Sequence, residues 1–433
     1  MALVLDVHLE GNHQPIGQLM RAGDGSTAFR YASDALPYAL SLSLPLQEAP
    51  FGDAATKAFF SNLLFENAMR DQISERHQLD YGDIVGLLFH LGRDCPGAVS
   101  CVPAGEGPAK QPGNLETDYD RLTQTDLQEI MLSLRDRRRI PDHTRDPSPL
   151  AGVQGKVALT MLPDGSFALP KAGLNVPTSH ILKVPRLADM GSVGKEHLLT
   201  SLMKEFQAYP VSQTEIIGEG DLKGLLIKRF DRTLDGSMIS RIHQEDFAQG
   251  LGLSPSLKYE RNGTFGHRFS AKAVGALLQQ TESPGLSRAA FLDISLVNLM
   301  LGNTDNHAKN HALLYLGPRP RLAPAYDIFP TLIDDQVTHQ LAFDVGAAKM
   351  ADDITAGDLE QMIHDLGFPR LTPALRRHVT GIVANIINCI NTMQGPERKR
   401  IGDAMAEQTR HMVSALKMDL AVPERDALII NRP

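Results

Sequence analysis

The chain has three cysteines in 433 residues, Cys95, Cys101 and Cys389. They make neither a disulfide framework nor a C-x-x-C metal site, and so few fit a reducing, cytosolic setting. No apolar run approaches the ~20 residues needed to cross a bilayer. The first residues, MALVLDVHLEGN, carry acids instead of the basic n-region of a signal peptide and read as a first strand. No membrane partner is expected. Basic residues are in deficit: 43 Lys and Arg against 51 Asp and Glu give a net charge of −8. Bulk electrostatics therefore offer a nucleic acid nothing, and only a local basic patch would. A Walker A loop is absent, because Leu150 stands where it needs Gly and Val157 where it needs Ser or Thr. His307 and His311 are four apart, but the H-E-x-x-H zinc motif is missing. Internal repeats are absent too.

What is present is ordinary for a globular protein, 42% hydrophobic and 22% charged, and long enough for two or three domains. Leu3, Leu5, Val7 and Leu9 alternate, Gly11-Asn12 supplies a turn, and a β-meander is expected through Leu46. Apolar spacing predicts helices over 57–77 and 83–91. The Pro- and Gly-rich stretch VPAGEGPAKQPGNL, 102–115, reads as a connection. Beyond it, 156–162 and 167–169 form a hairpin around Pro163-Asp164-Gly165, and 180–184 and 225–230 read as strands around a helix at 197–208. From Ser256 the pattern turns helical, at 271–280, 291–301, 356–366, 373–393 and 400–415. The expected segments are 1–105, 116–255 and 256–433. The fold class is an α/β N-terminal half plus a mostly α-helical C-terminal half, a bilobal protein-kinase-like architecture.

The most informative stretch is Asn-Thr-Asp-Asn-His-Ala-Lys-Asn, 303–310, followed by Tyr326-Asp327. Asp305 and Asn310 stand in the D-x-x-x-x-N spacing of a kinase catalytic loop, where the Asp accepts a hydroxyl proton and the Asn ligates Mg²⁺. Asp327 offers a second metal-binding carboxylate. A Mg²⁺ bridging two phosphates needs such hard oxygen ligands. Upstream, Ala151, Gly152, Val153, Gln154, Gly155 and Lys156 form a Gly-rich loop feeding a strand, with a plain turn as the simpler reading. Lys183 lies within the apolar strand ILKV. It is either a solvated lysine or the one that holds α- and β-phosphates, with Glu196, or else Glu205, as its carboxylate partner. Lys228, Arg229 and Phe230 end a strand and are placed as the hinge that reads adenine, Phe230 beside the base. Loop, lysine, glutamate, hinge, D-x-x-x-x-N and final Asp follow one another in the linear order of a protein kinase.

The motifs AGVQGK (151–156), SHILK (179–183), RFDR (229–232), HQEDFAQ (243–249), GLSPSLKYE (252–260), TDNHAKN (304–310) and PAYDI (324–328) resemble those of the HipA family of bacterial serine/threonine kinase toxins. The resemblance runs from about Ser148 to Ile328, while 3–103 is similar to the HipA N-terminal domain by position and character. It implies a kinase that uses ATP and Mg²⁺ and acts on a protein such as an aminoacyl-tRNA synthetase, the glutamyl enzyme above all. Charging of tRNA then falls, and growth arrest and persistence follow. It also implies a HipB-like helix-turn-helix antitoxin dimer and repression of its own operon on operator DNA. By motif, Asp305 is the base and Asn310 and Asp327 the Mg²⁺ ligands. His307, Ala308, Lys309 and Tyr326 line the nucleotide site, completed by residues 151–156, Lys183 and 228–230.

Two departures stand out. Pro149 occupies the family's autophosphorylated serine position, which leaves Ser148, one place earlier, as the candidate; and Lys228 stands where some relatives carry an acid. Two basic clusters, Arg135-Asp136-Arg137-Arg138-Arg139 and Arg376-Arg377-His378, are either solvated faces or phosphate contacts, with Arg376 and Arg377 the candidates for operator DNA. Rival readings are a small-molecule kinase of the aminoglycoside-phosphotransferase kind and a non-catalytic DNA-bound co-repressor.

Overall fold

The computed structural model describes residues 2–33, 36–64, 74–75, 77–141, 143–144 and 155–428. It divides into two compact units. The first holds Met1–Val193, Gln213–Pro255 and Leu313–Pro320; the second holds Gly194–Ser212, Ser256–Ala312 and Arg321–Pro433.

The first unit opens with β1 (Leu3–Leu9), β2 (Gly17–Arg21), β3 (Thr27–Tyr31), α1 (Asp53–Phe60), α2 (Ile84–Leu91) and β4 (Val99–Pro103). These strands form an antiparallel sheet in the order β3-β2-β1-β4. Leu5, Val7, Leu9, Leu19 and Phe29 bury against Phe59 and Phe60 of α1 and Ile84, Leu87 and Leu88 of α2. The meander ends at Tyr31, short of Leu46, because the chain then wraps the Tyr31 hydroxyl. That hydroxyl donates to Leu44 O (2.6 Å) and accepts the Leu40 N–H (2.8 Å). The helix expected over 57–77 stops at Phe60. Ser61 and Asn62 donate their side chains to Lys57 O and Ala58 O, which competes with helical pairing, and a 3₁₀ turn follows at Ser61–Leu63. Residues 65–73 and 76 lie outside the described residues.

Next come β5 (Gly113–Asn114), β6 (Tyr119–Arg121), α3 (Gln124–Arg137), β7 (Gly155–Met161), β8 (Phe167–Pro170), β9 (His180–Val184), β10 (Thr214–Glu219), β11 (Leu222–Lys228), β12 (Arg232–Asp235) and β13 (Met238–Arg241). Six of them form a sheet in the order β10-β11-β9-β7-β8-β6, and β12-β13-β5 form a ribbon. α3, opened by a Thr123/Asp126 capping box, covers one face of the large sheet. There Ile130, Met131 and Leu134 meet Val157, Leu159, Leu182, Val184 and Leu226. Pleating turns the alternate residues to the opposite face, so Lys156, Lys183 and Leu225, which are register partners across β7, β9 and β11, share it.

Buried charge knits this unit together. Arg241 donates to Glu10 (2.6 Å), Asp94 (3.3 Å) and Val99 O (3.2 Å); Lys110 pairs with Asp94; and Asp231 takes both Arg229 and Arg232 at 2.8 Å. A second buried cluster centres on Glu245. Its carboxylate accepts from Ser41 Oγ, from Leu42 N–H (3.1 Å) and from Tyr315 Oη (2.5 Å), beside the Tyr38, His243 and Tyr315 rings.

In the second unit lie α4 (Gly191–Phe206), which enters it from the first, then α5 (Ala271–Leu278), α6 (Pro284–Leu301), α7 (Ala356–Asp365), α8 (Pro373–Ile390) and α9 (Pro396–Ala415). α6 is its spine: every residue from 290 to 301 is buried, with α5, α8 and α9 packed on it. It starts seven residues before the expected 291 because Pro284 occupies the first helical position, where a missing N–H costs nothing. Among the described residues no helix is long and apolar enough to cross a membrane.

Burial pushes the Glu245 carboxyl up to about 7 against its three donors. Between its ordinary 4.5 and about 7, the folded chain holds a proton that the unfolded chain has released. Stability must therefore fall as pH rises through that window. In urea titrations at pH 5 and pH 8, wild type is expected to lose on the order of 3 kcal/mol more than Glu245→Gln. Equal losses would show that this carboxyl is ionised throughout.

Candidate active site

α6 ends at Gly302, whose φ of +74° suits glycine; an added Cβ would stand 3.3 Å from Leu332 Cβ. The Asn303 N–H reaches back to Asn298 O (2.9 Å) and the Gly302 N–H to Leu299 O (3.1 Å), which satisfies helix-end carbonyls and turns the chain out. Thr331 then clamps the loop: its hydroxyl accepts the Thr304 N–H (2.7 Å) and donates to Gly302 O (3.3 Å). Asn303 fixes the next residue by accepting the Asp305 N–H (3.1 Å).

This scaffold gathers the expected polar residues. Asn310 Nδ2 donates to Asp305 O (2.9 Å), so its Oδ1 is the atom left for a ligand. Tyr326 Oη donates to Lys309 O (2.8 Å), which ties the Tyr-Asp pair to the loop. Asp327 takes φ +59°, a left-handed conformation that Asp tolerates better than most residues. Asp305, Asp327 and Lys258 all act on the buried His307 ring. Burial, the largest influence, lowers the His307 pKa; the two carboxylates oppose it and Lys258 adds to it. Burial thus favours the uncharged form of the His307 ring, with two carboxylates and a lysine acting on it. Two residues had no assigned role in the sequence reading. Tyr259 Oη donates to Asp305 Oδ1 (2.7 Å) and sets its ring edge-on to His307 at 5.1 Å. Lys258 O accepts the Ala308 N–H (3.1 Å).

Asn310 Oδ1 and the Asp327 carboxylate are hard oxygen donors, the set Mg²⁺ takes. Among the described residues no group of three or more His, Cys, Asp or Glu could hold a metal ion by itself. Phosphate oxygens and water would have to complete the shell, which is how Mg²⁺ is held at nucleotide sites.

The phosphate- and base-binding candidates belong to the first unit. Ser148 and residues 151–154 lie outside the described residues. Gly155 opens β7, and an added Cβ there would stand 2.8 Å from Leu134 O. Its smallness therefore serves packing against α3, and the phosphate role expected for it loses that support. Lys156 and Lys183 form the register pair described above. Glu196, buried, sits in the second turn of α4, inside a helix that begins at Gly191, before the expected 197. At the expected hinge, the Lys228 and Arg229 N–H groups already donate to Gln213 O (2.9 Å) and Ser179 O (3.0 Å). The Arg229 side chain is spent on Asp231, and the strand stops at Lys228, so Phe230 lies past its end. Of the basic clusters, Arg135 binds Asp136 and Asp221 O (3.2 Å), and Arg376 donates to Leu416 O (2.8 Å) at the end of α9.

Residues 148–393 match the HipA-like C-terminal domain, and residues 5–102 match the HipA N-terminal domain. The chain belongs to the HipA family. Its members include serine/threonine kinase toxins: the toxin HipA of Shewanella oneidensis is 28% identical over 85% of this chain and 84% of its own. The protein Y4dM of Sinorhizobium fredii is 31% identical over 78% of this chain and 80% of its own. A solved complex of the Shewanella HipA, HipB and operator DNA contains a chain that superposes with a TM-score of 0.75 at 25% identity, covering 95% of this chain and 96% of that one.

Thr331→Val keeps the shape but strands the buried Thr304 N–H. It should cost about 1–3 kcal/mol in urea unfolding, while a loss under about 0.5 kcal/mol would show that the clamp is not needed.

Proposed function

We propose that this chain is an ATP- and Mg²⁺-dependent serine/threonine protein kinase, the toxin of a toxin–antitoxin pair that acts in the cytoplasm. The observation that carries the reading is that Asp305 and Asp327 both act on His307 and Asn310 bonds the Asp305 carbonyl, with Tyr259 holding the Asp305 carboxylate. Asp305 orients the acceptor hydroxyl and takes its proton. Asn310 and Asp327 supply the protein oxygens to Mg²⁺, which when bound neutralises charge on the transferring phosphoryl group. Lys183, with Lys156 beside it, meets the α- and β-phosphates, and Glu196 is the carboxylate proposed to orient Lys183. The carbonyls around 228–230 face the adenine edge.

The acceptor we propose is a translation component, an aminoacyl-tRNA synthetase, with the glutamyl enzyme the first to test. Ser148 is the proposed autophosphorylation site: a phosphate there brings about −1.5 to −2 charges beside a loop meant for ATP phosphates and disfavours nucleotide binding. The Shewanella complex supports a HipB-like dimer and operator DNA as partners. Arg377, exposed beside the committed Arg376, is the residue of that cluster best placed to contribute a salt-dependent phosphate contact.

Asp305→Asn should lower phosphate transfer from labelled ATP to protein by about 100-fold or more, with nucleotide binding by calorimetry in Mg²⁺ retained. Labelling equal to wild type would remove Asp305 as the base. Tyr259→Phe, which only loosens that carboxylate, should lower kcat by about 3- to 10-fold and leave the KM for ATP unchanged.

A further inference from the structure

Residues 252–268 lead from the Tyr259 that holds Asp305 to the most exposed large apolar side chain described, Phe265, at 96%. It sits at the tip of a tight hairpin closed by Thr264 N–H to His267 O (3.1 Å) and His267 N–H to Thr264 O (3.0 Å), with Gly266 at φ +78°. The base of the hairpin is fixed. Glu260 pairs with Arg268 across it (3.2 Å) and accepts the Asp344 N–H (2.7 Å). The Glu260 N–H donates to Ala342 O (2.8 Å), and Arg261 lies over the Tyr259 ring at 4.0 Å. A single exposed apolar residue is unremarked on most surfaces. Here a braced loop with no core of its own offers a phenylalanine to solvent six positions from the residue that touches the catalytic aspartate.

We propose that this hairpin is the docking element for the protein acceptor, with Phe265 entering an apolar recess on an acidic surface of that protein. The inference rests on the kinase reading and adds what selects the acceptor. Six residues span at most about 20 Å, and a protein partner covers about 800 Å² of each surface. A hydroxyl delivered to Asp305 therefore brings the Phe265 tip within the same footprint. The charge fits an acidic partner. The loop carries Lys258, Arg261 and Arg268 against one carboxylate, Glu260, which is buried and paired, in a chain whose net charge is −8. Such a local patch steers an acidic protein that the rest of the surface repels.

The test compares wild type, Phe265→Ala and Phe265→Leu on the proteins that wild type labels in soluble cell extract with labelled ATP and Mg²⁺, and then on the purified main acceptor. Phe265→Ala should raise the KM for the acceptor by about 10- to 100-fold. Its kcat and its acceptor-free ATP hydrolysis should stay within about twofold, and Phe265→Leu should restore part of the loss. Equal KM values would overturn the proposal, as would a Phe265→Ala defect confined to operator retention with the antitoxin, which would assign the tip to nucleic acid. No labelling by wild type would instead overturn the kinase reading beneath it, so the two failures are told apart.

Discussion

The second unit depends on how one buried helix stops. α6 carries twelve consecutive buried residues, 290–301, and then must release a mostly polar sequence whose backbone has to be paired. Gly302 permits the left-handed turn, and the Thr331 hydroxyl answers both the Gly302 carbonyl and the Thr304 N–H. Leu332 N–H donates to the same carbonyl (2.9 Å), and Ala342 N–H takes Thr304 O (3.0 Å). Asp305, Asn310 and Tyr326 are placed by this framework and by their own bonds to Tyr259, Asp305 O and Lys309 O.

A different physics organises the first unit. One face of its six-stranded sheet is an apolar interface with α3; the other presents the Lys156–Lys183 pair. Two like charges on register partners repel each other. The network of Arg241, Glu10, Asp94 and Lys110 joins β13 to the β1–β4 sheet. The expected segments 1–105 and 116–255 lie for the most part within one compact unit. Buried pairs of this sort contribute little net stability, but losing one partner is costly, and that makes the join specific.

Legibility followed sequence distance. Asp305 and Asn310 are five apart, and the Asn310 side chain bonds the Asp305 carbonyl, so a local pattern was enough to suggest that they meet; Lys183 showed as a cation inside ILKV. Tyr259 lies 46 positions from Asp305, and Thr331 27 from Thr304, and no local pattern carries such pairings. The signal that existed for Tyr259 was its place in GLSPSLKYE. The charges of RFDR were legible only in part: they could be read as a surface run, yet Asp231 is buried between two guanidinium groups. At Gly155 the missing Cβ admits Leu134 O, a packing constraint that no local pattern carries. Helix ends were displaced where Ser61 and Asn62 bond their own backbone, and where Gly191 and Ser192, weak helix formers, were passed over at the start of α4.

The donor count at the loop bears on how metal and nucleotide arrive. Asn310 offers one amide oxygen and Asp327 one carboxylate, while Asp305 is engaged by Tyr259 and burial favours the uncharged form of His307. Two protein ligands are far short of the six that Mg²⁺ requires. On the reading proposed above, phosphate oxygens would have to raise the count, and ion and nucleotide would then each bind more tightly in the presence of the other, by the same factor in both directions.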